Sequence, residues 1–288
     1  MRLHCFFGSV LALVACGDSS SRNLNPSAAS TSSASSGIGG SGGAGGDVVA
    51  SSSASEGVGG GFSVGAGVGG GEGGGEPVDC GDTLNVTIRD FDPATHPDFQ
   101  GNFSQLKGIV KELLGADGKP EYAHPGPTPA TTGPAQFAQW YHDVPGINIA
   151  IPITLQFTKP SPGTYVYENA DFFPIDGQGF GNYPGYNHNF HFTTEIHSSF
   201  TYKGGEVFSF SGDDDVWVFV NGRLAVDLGG LHGPQAATIE FDTSAAQLGI
   251  EPGKTYPLDV FHAERHTNQS NFRIETTIDC FVPEPTPQ

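Results

Sequence analysis

Five consecutive residues, Val216, Trp217, Val218, Phe219 and Val220, are all apolar and all β-branched or aromatic. A run without a polar face reads as a strand buried on both sides. Asn221 and Gly222 follow it, the pair that supplies the positive φ angles of a two-residue hairpin turn, and residues 223–228 return as the partner strand. Similar strand-like segments recur between turn signals at residues 83–91, 147–157, 165–167, 190–202, 206–210, 237–241, 256–262 and 272–278. Helical patterning is confined to residues 106–114 and 134–141. These elements predict an all-β sandwich or barrel with one or two short helices and no internal repeat.

Directly before the apolar strand stand Asp213, Asp214 and Asp215, at the mouth of the hairpin. Three like charges against apolar runs call for a positive partner, and a hard cation such as Ca²⁺ takes oxygen ligands of this kind. The spacing is not that of an EF-hand. On a strand, neighbouring aspartates point to opposite sides, so a shared ion needs a turn or an unusual peptide geometry. The alternative is an aspartate turn that caps backbone amides. Asp213, Asp214 and Asp215 are the candidate metal ligands. Asn221 and His232, which flank the returning strand, are candidate ligand-binding residues.

A second polar cluster occupies residues 261–271, FHAERHTNQSN. Glu264 and Arg265 read as a structural salt bridge, while Asn268 and Asn271 suit sugar hydroxyls or a calcium ion. His191, Glu195 and His197 fall on one face of a strand, with His188 just before it, a set that could hold zinc. The simpler account is a half-exposed strand with its polar face outward. No nucleophile elbow and no H-E-x-x-H motif occurs, and Asp215 with Glu264 is the single carboxylate pair worth testing for glycoside hydrolysis.

The N-terminus divides differently. Arg2 precedes an apolar stretch too short to span a bilayer, and Leu13-Val14-Ala15-Cys16 resembles the bacterial lipobox. The expectation is a signal peptide over residues 1–15 and lipidation at Cys16; the alternative is an ordinary signal peptide with a chance cysteine. Residues 18–79 hold 19 glycines among Ser, Ala and Val. Residues 16–79 therefore read as a flexible tether. Cys80 and Cys280 bracket the folded part, and in an exported protein such a pair most simply forms a disulfide. The domain is placed at residues 80–282, with a proline-rich tail at 283–288 expected to be disordered. From Cys80 onward 25 Asp and Glu face 10 Lys and Arg, a balance that argues against nucleic acid and anionic lipid as partners.

Several motifs, HPDF (96–99), FFP (172–174), HNFHFTTEIHSSFTYKGGE (188–206), FSGDDDVWVFVNGRLAVDLGGLHG (210–233) and YPLDVFHAERHTNQSNFRIETTI (256–278), together resemble the fibro-slime domain family. That family is similar to the PA14 β-barrel superfamily of toxins, adhesins and glycosidase-associated modules. The resemblance implies that two adjacent aspartates joined by a cis peptide hold a calcium ion that itself binds sugar hydroxyls. It places that pair at Asp213 and Asp214, with Asp215 where many PA14 sequences have glycine and 268–271 as a loosely matched second loop. The expectation is thus a bacterial lipoprotein of the cell surface or outer membrane, anchored by lipid alone and non-enzymatic, whose PA14-like module binds calcium and a glycan. The alternatives are a non-binding structural component of a matrix or coat, and an enzyme acting on polysaccharide.

Overall fold

The computed structural model describes residues 80–287. The expectations for residues 1–79, among them the signal peptide, Cys16 and the tether, lie outside the described residues. Within residues 80–287 the first half of the chain gives β1 (Thr83–Phe91), β2 (Val110–Leu114), β3 (Pro120–Tyr122), α1 (Pro134–Phe137), β4 (Asn148–Gln156), β5 (Thr158–Ser161), β6 (Thr164–Asn169) and β7 (Phe192–Tyr202). The second half gives β8 (Val207–Gly212), β9 (Asp215–Val220), β10 (Arg223–Leu228), β11 (Gln235–Glu240), α2 (Phe241–Leu248), β12 (Lys254–Glu264), β13 (Phe272–Thr276) and β14 (Val282–Pro283). A nine-stranded sheet runs β3-β2-β10-β9-β12-β7-β1-β4, with β14 also on β7; a five-stranded sheet runs β11-β8-β13-β6-β5. All fourteen strands pair antiparallel with their named neighbours.

β9 is the central strand its sequence requires, and all six of its residues are buried. Val216, Val218 and Val220 enter one core with Ile196, Phe210, Val260 and Phe272. Trp217 and Phe219 point the other way, into a second core with Phe91, Phe99, Phe137, Trp140 and Phe261. The period of two along a strand thus feeds two apolar layers, which explains why no position of the run is polar.

Some expectations fail for identifiable reasons. Residues 106–114 are not a helix: Gly108 sits at φ +80°, and β2 instead joins β10 by pairing Leu113 with Arg223. The 134–141 helix is one turn long. α2 was not foreseen, although Gly249 beyond it carries the left-handed conformation of a C-terminal cap. No described helix is long and apolar enough to cross a membrane.

Cys80 and Cys280 form the expected disulfide. The described part of the tail is not disordered. β14 pairs Val282 with Ser199, the Glu284 amide donates to the His197 carbonyl at 3.0 Å, and the Thr286 and Thr87 hydroxyls meet at 2.8 Å. β1 pairs β7 only over Phe192–Ile196, which leaves the rest of that edge for the tail.

The polar face of β7 does not point outward either. Glu195 is fully buried, where it pairs with Arg89 and Lys119 and accepts from His197 Nε2 at 2.6 Å. His197 also pairs with Asp259 at 2.7 Å. Burial would lower the His197 pKa, but the hydrogen bonds to Asp259 and Glu195 outweigh it and hold it above its ordinary value. His191 contacts Gln100 instead of these residues. The zinc set is therefore an ionic network and a separate histidine.

Candidate functional site

At one end of the sandwich two connections pass from sheet to sheet. Asp213 and Asp214 link β8 of the five-stranded sheet to β9 of the nine-stranded one, and residues 265–271 link β12 back to β13. The two run side by side because Gly212 permits it: a Cβ there would lie 2.5 Å from the Asn271 carbonyl oxygen. Between them and the 102–104 segment opens a cleft of about 950 Å³, lined by Asp213, Asp214, His232, His266, Asn268 and Phe103 among others.

Each aspartate of the triplet has its own fixation. Asp213 accepts from the Asn271 backbone amide at 2.5 Å and from its Nδ2 at 3.0 Å, and the Asp213 carbonyl accepts from His262 Nε2 at 2.7 Å. Burial holds the His262 pKa down at about 4, which keeps the ring neutral for that role. Asp214 accepts from the His232 amide at 3.3 Å and the Arg265 amide at 3.1 Å. Burial, reinforced by Asp215 and Asp213 and opposed by Arg265, pushes its pKa up to about 7. The Asp213–Asp214 peptide is cis, the geometry the resemblance implies, and Thr267–Asn268 is cis as well.

Asp215 is a different case. Its oxygens accept from the Gly230 amide at 2.5 Å and from Arg265 Nε at 2.6 Å, it is 0 % exposed, and it does not line the cleft. As the first residue of β9 it points inward, so the expected third ligand is instead the counter-ion of Arg265. Arg265 also donates from Nη1 to the carbonyls of Asp98 and Ala130, and its guanidinium lies 4.7 Å from the Trp140 ring centre and 5.3 Å from that of Phe103. The expected Glu264–Arg265 pair does not form.

Glu264, the last residue of β12, is fully buried, and its carboxyl oxygens make no well-formed hydrogen bond, although the Ser270 side chain and the His266 amide lie close to it. Burial, then the charges of Asp214 and Asp213, raise its pKa well above the ordinary value. Since Asp215 and Glu264 are both buried away from the cleft, the pair offered for glycoside hydrolysis has no access to a substrate there.

The remaining candidates divide. Asn268 and His232 line the cleft. Asn271 braces Asp213. Asn221 lies at the other end of β9, roughly 20 Å away by strand rise, where its Nδ2 donates to the Leu248 and Gly249 carbonyls. It sits at φ 52° and ties the turn to the end of α2, away from the cleft. The polar cluster at 261–271 included His266, which lines the cleft, but the sequence reading missed Phe103 and the Gln100 side chain, which donates to Thr267 Oγ1 at 3.2 Å behind the cleft loop.

The cleft is lined by the Asp213 and Asp214 carboxylates, the Asn268 and Gln269 amides and the His232 and His266 rings. Both His232 nitrogens are engaged by the Gly233 and Leu228 carbonyls, which leaves mostly hard oxygens, the ligand type that calcium takes. Among the described residues no three His, Cys, Asp or Glu side chains form a ready-made metal cage. An ion here would complete its shell from amides, carbonyls, water or a bound ligand.

Known proteins resemble this chain at two levels. Protein psiR of Dictyostelium discoideum is 44 % identical over 213 residues, covering 68 % of this chain and 21 % of its own length. Protein psiD of the same organism is 43 % identical over 212 residues, covering 68 % and 41 %. The chain thus spans about a fifth to two fifths of these relatives, which are not from a bacterium as the lipobox reading expected. The PA14 domain of the MpAFP antifreeze protein is 10 % identical with a TM-score of 0.33 and covers 75 % of this chain and 99 % of its own. The epithelial adhesin 9 A domain of Candida glabrata, solved with Galβ1-3GlcNAc, is 12 % identical with a TM-score of 0.31 and covers 72 % and 93 %. Residues 163–280, which contain both inter-sheet connections of the cleft, match the PA14 domain family, and the mostly β fold is PA14-like.

Proposed function

We propose that the described domain is a calcium-dependent, carbohydrate-binding module of adhesin type. Asp213 and Asp214 would hold the ion, with Asn268 and the carbonyls of its loop as neutral ligands, and Asn271, His262 and the Arg265 amide keeping the aspartates in place. Calcium would supply open coordination positions for vicinal hydroxyls. One observation carries the cation half: the Asp213 and Asp214 carboxylates that line the cleft accept only from neutral amides, while the one guanidinium at this end of the sandwich is already taken by Asp215. A divalent cation at the cleft is the charge this cluster lacks. The sugar half follows the PA14 resemblance and the neutral, oxygen-rich loop beside the aspartates.

The test is calorimetric titration of the full chain with Ca²⁺, followed by a glycan array in calcium and in chelator. Binding heat, a rise in melting temperature and calcium-dependent array signals are expected, all lost in Asp214→Asn. Absence of heat and of any thermal shift would falsify the cation reading. The rival, in which calcium only bolts the two connections together, predicts the thermal shift with a silent array. Membership of the fibro-slime family and lipid anchoring at Cys16 belong to the same proposal. Anchoring is checked by fatty-acid labelling that disappears in Cys16→Ser.

A further inference from the structure

A second cleft, of about 520 Å³, adjoins the first. Its floor is aromatic: Phe91 and Phe99 stack at 4.3 Å, and both are buried, as is His191. Phe180 stands on its rim with 45 % of its surface exposed. Its backbone is fixed from below. The Phe180 amide donates at 2.5 Å to Asp90, a fully buried carboxylate whose other oxygen accepts from Asn189 at 2.7 Å. Gly179 lets the chain approach so closely, since a Cβ there would lie 2.0 Å from the same Asp90 oxygen. The fold thus anchors the backbone of a half-exposed phenylalanine at the cleft rim.

The wall between the two clefts is one stretch of chain. Gln100 and Gly101 face the aromatic cleft, while Asn102, Phe103 and Ser104 face the aspartate cleft. The Gln100 side chain spans the wall, accepting from His191 Nε2 at 2.9 Å on one side and donating to Thr267 on the other. No Lys or Arg lines either cleft. Asp92 and Asn182 add polar groups to the aromatic rim.

We propose that the aromatic cleft is a second saccharide subsite, which takes the neighbouring neutral ring of a glycan whose first ring is held at the Asp213-Asp214 cleft. A pyranose has an apolar C–H face and a polar rim, and the cleft offers the exposed Phe180 ring beside the Asn182 amide and the Asp92 carboxylate. Missing cations and the Asp92 carboxylate disfavour uronic acids and other anionic sugars. The ligand is therefore at least a disaccharide, and neutral. This inference rests on the proposed reading of the aspartate cleft, and the experiment separates the two.

The full chain is screened in calcium on an array of neutral mono- to tetrasaccharides, and the affinities of the hits and of their terminal monosaccharides are measured by titration. For the wild type, oligosaccharides are expected to bind about 10-fold more tightly than their terminal monosaccharide, the size of effect one well-placed aromatic ring supplies. Phe180→Ala should reduce that advantage to less than about 2-fold, and Phe180→Tyr should keep it. Calcium affinity, monosaccharide affinity and melting temperature should stay as in the wild type, because Phe180 is a rim residue. Equal affinities for oligosaccharides and monosaccharides, or an advantage that survives Phe180→Ala, would overturn the subsite while leaving the ion reading intact. Oligosaccharide binding that persists in chelator yet vanishes in Phe180→Ala would support the subsite and sink the ion reading. An array with no signal in calcium would sink both.

Discussion

Arg265 shows how one side chain can organise a site it does not line. Its guanidinium joins the first residue of β9, Asp215, to the carbonyls of Asp98 and Ala130, and its backbone amide holds Asp214. Removing one member of a fully buried pair leaves an uncompensated charge, so Arg265→Ala should cost about 3–5 kcal/mol in urea unfolding. Lys111→Ala, at a pair in which both side chains are about half exposed, should cost less than about 1 kcal/mol. Equal losses would show that the guanidinium carries no special structural weight. His191 makes a prediction about pH. Burial, with a smaller contribution from His266, lowers its pKa to about 4, below the ordinary 6.5 of the unfolded chain. The unfolded state therefore takes up a proton first, and the stability gained by keeping this ring neutral is lost as pH falls from about 6.5 towards 4. His191→Gln keeps a polar partner for Gln100 without that proton. The stability gap between wild type and variant should narrow by up to about 3 kcal/mol between pH 7 and pH 4. A gap that does not change with pH would contradict the buried neutral ring.

At the scale of elements, what the sequence disclosed is what depends on local pattern. β1 and the strands flanking the Asn221-Gly222 turn were legible because turn chemistry and side-chain periodicity are written within a few residues. The aspartate triplet was legible as an anomaly for the same reason. Its partners were not. Arg265 reaches Asp215 across 50 positions of sequence, and Glu195 meets Arg89 across 106. Glu264 ends β12 and Arg265 opens the connection after it, where the guanidinium turns to Asp215, so the two neighbours do not pair as their sequence suggested. Residues 106–114 carry helix-like spacing that pairing with β10 overrides. The decisive element-level feature is the close passage of the two inter-sheet connections at Gly212. In Gly212→Ala the added methyl meets the Asn271 carbonyl and the Phe210 ring, at 2.5 and 2.7 Å, both parts of a packed interior. The connections must separate. A loss of about 1–3 kcal/mol in stability is expected, together with calcium binding at least about 10-fold weaker, because Asn271 then no longer braces Asp213. Calorimetry on the refolded variant checks this, and full calcium affinity at reduced stability would show that the brace is dispensable.

The whole molecule separates what closes the domain from what equips the cleft. β13 leaves the cleft at Phe272 and runs away from it, so Cys280 and its partner Cys80 lie towards the other end of the sandwich. The tail follows from there onto β7, covering an edge over the buried Glu195 network. Bridging residues 200 apart removes loop entropy from the unfolded chain, worth roughly 5 kcal/mol before native strain is subtracted. Replacing both cysteines by serine should therefore lower the melting temperature by about 5–15 °C for a domain of this size. The cleft is built from Asp213, Asp214 and the 265–271 connection, which β8, β9, β12 and β13 hold through their own pairing. Calcium affinity at 25 °C, where the variant is still folded, should then stay within about 2-fold of wild type. Melting curves and calcium titrations on the same preparation decide between the two scales. A fall in affinity alongside the melting temperature would mean that the far end of the sandwich sets the geometry of the cleft, and that the two ends form one mechanical unit.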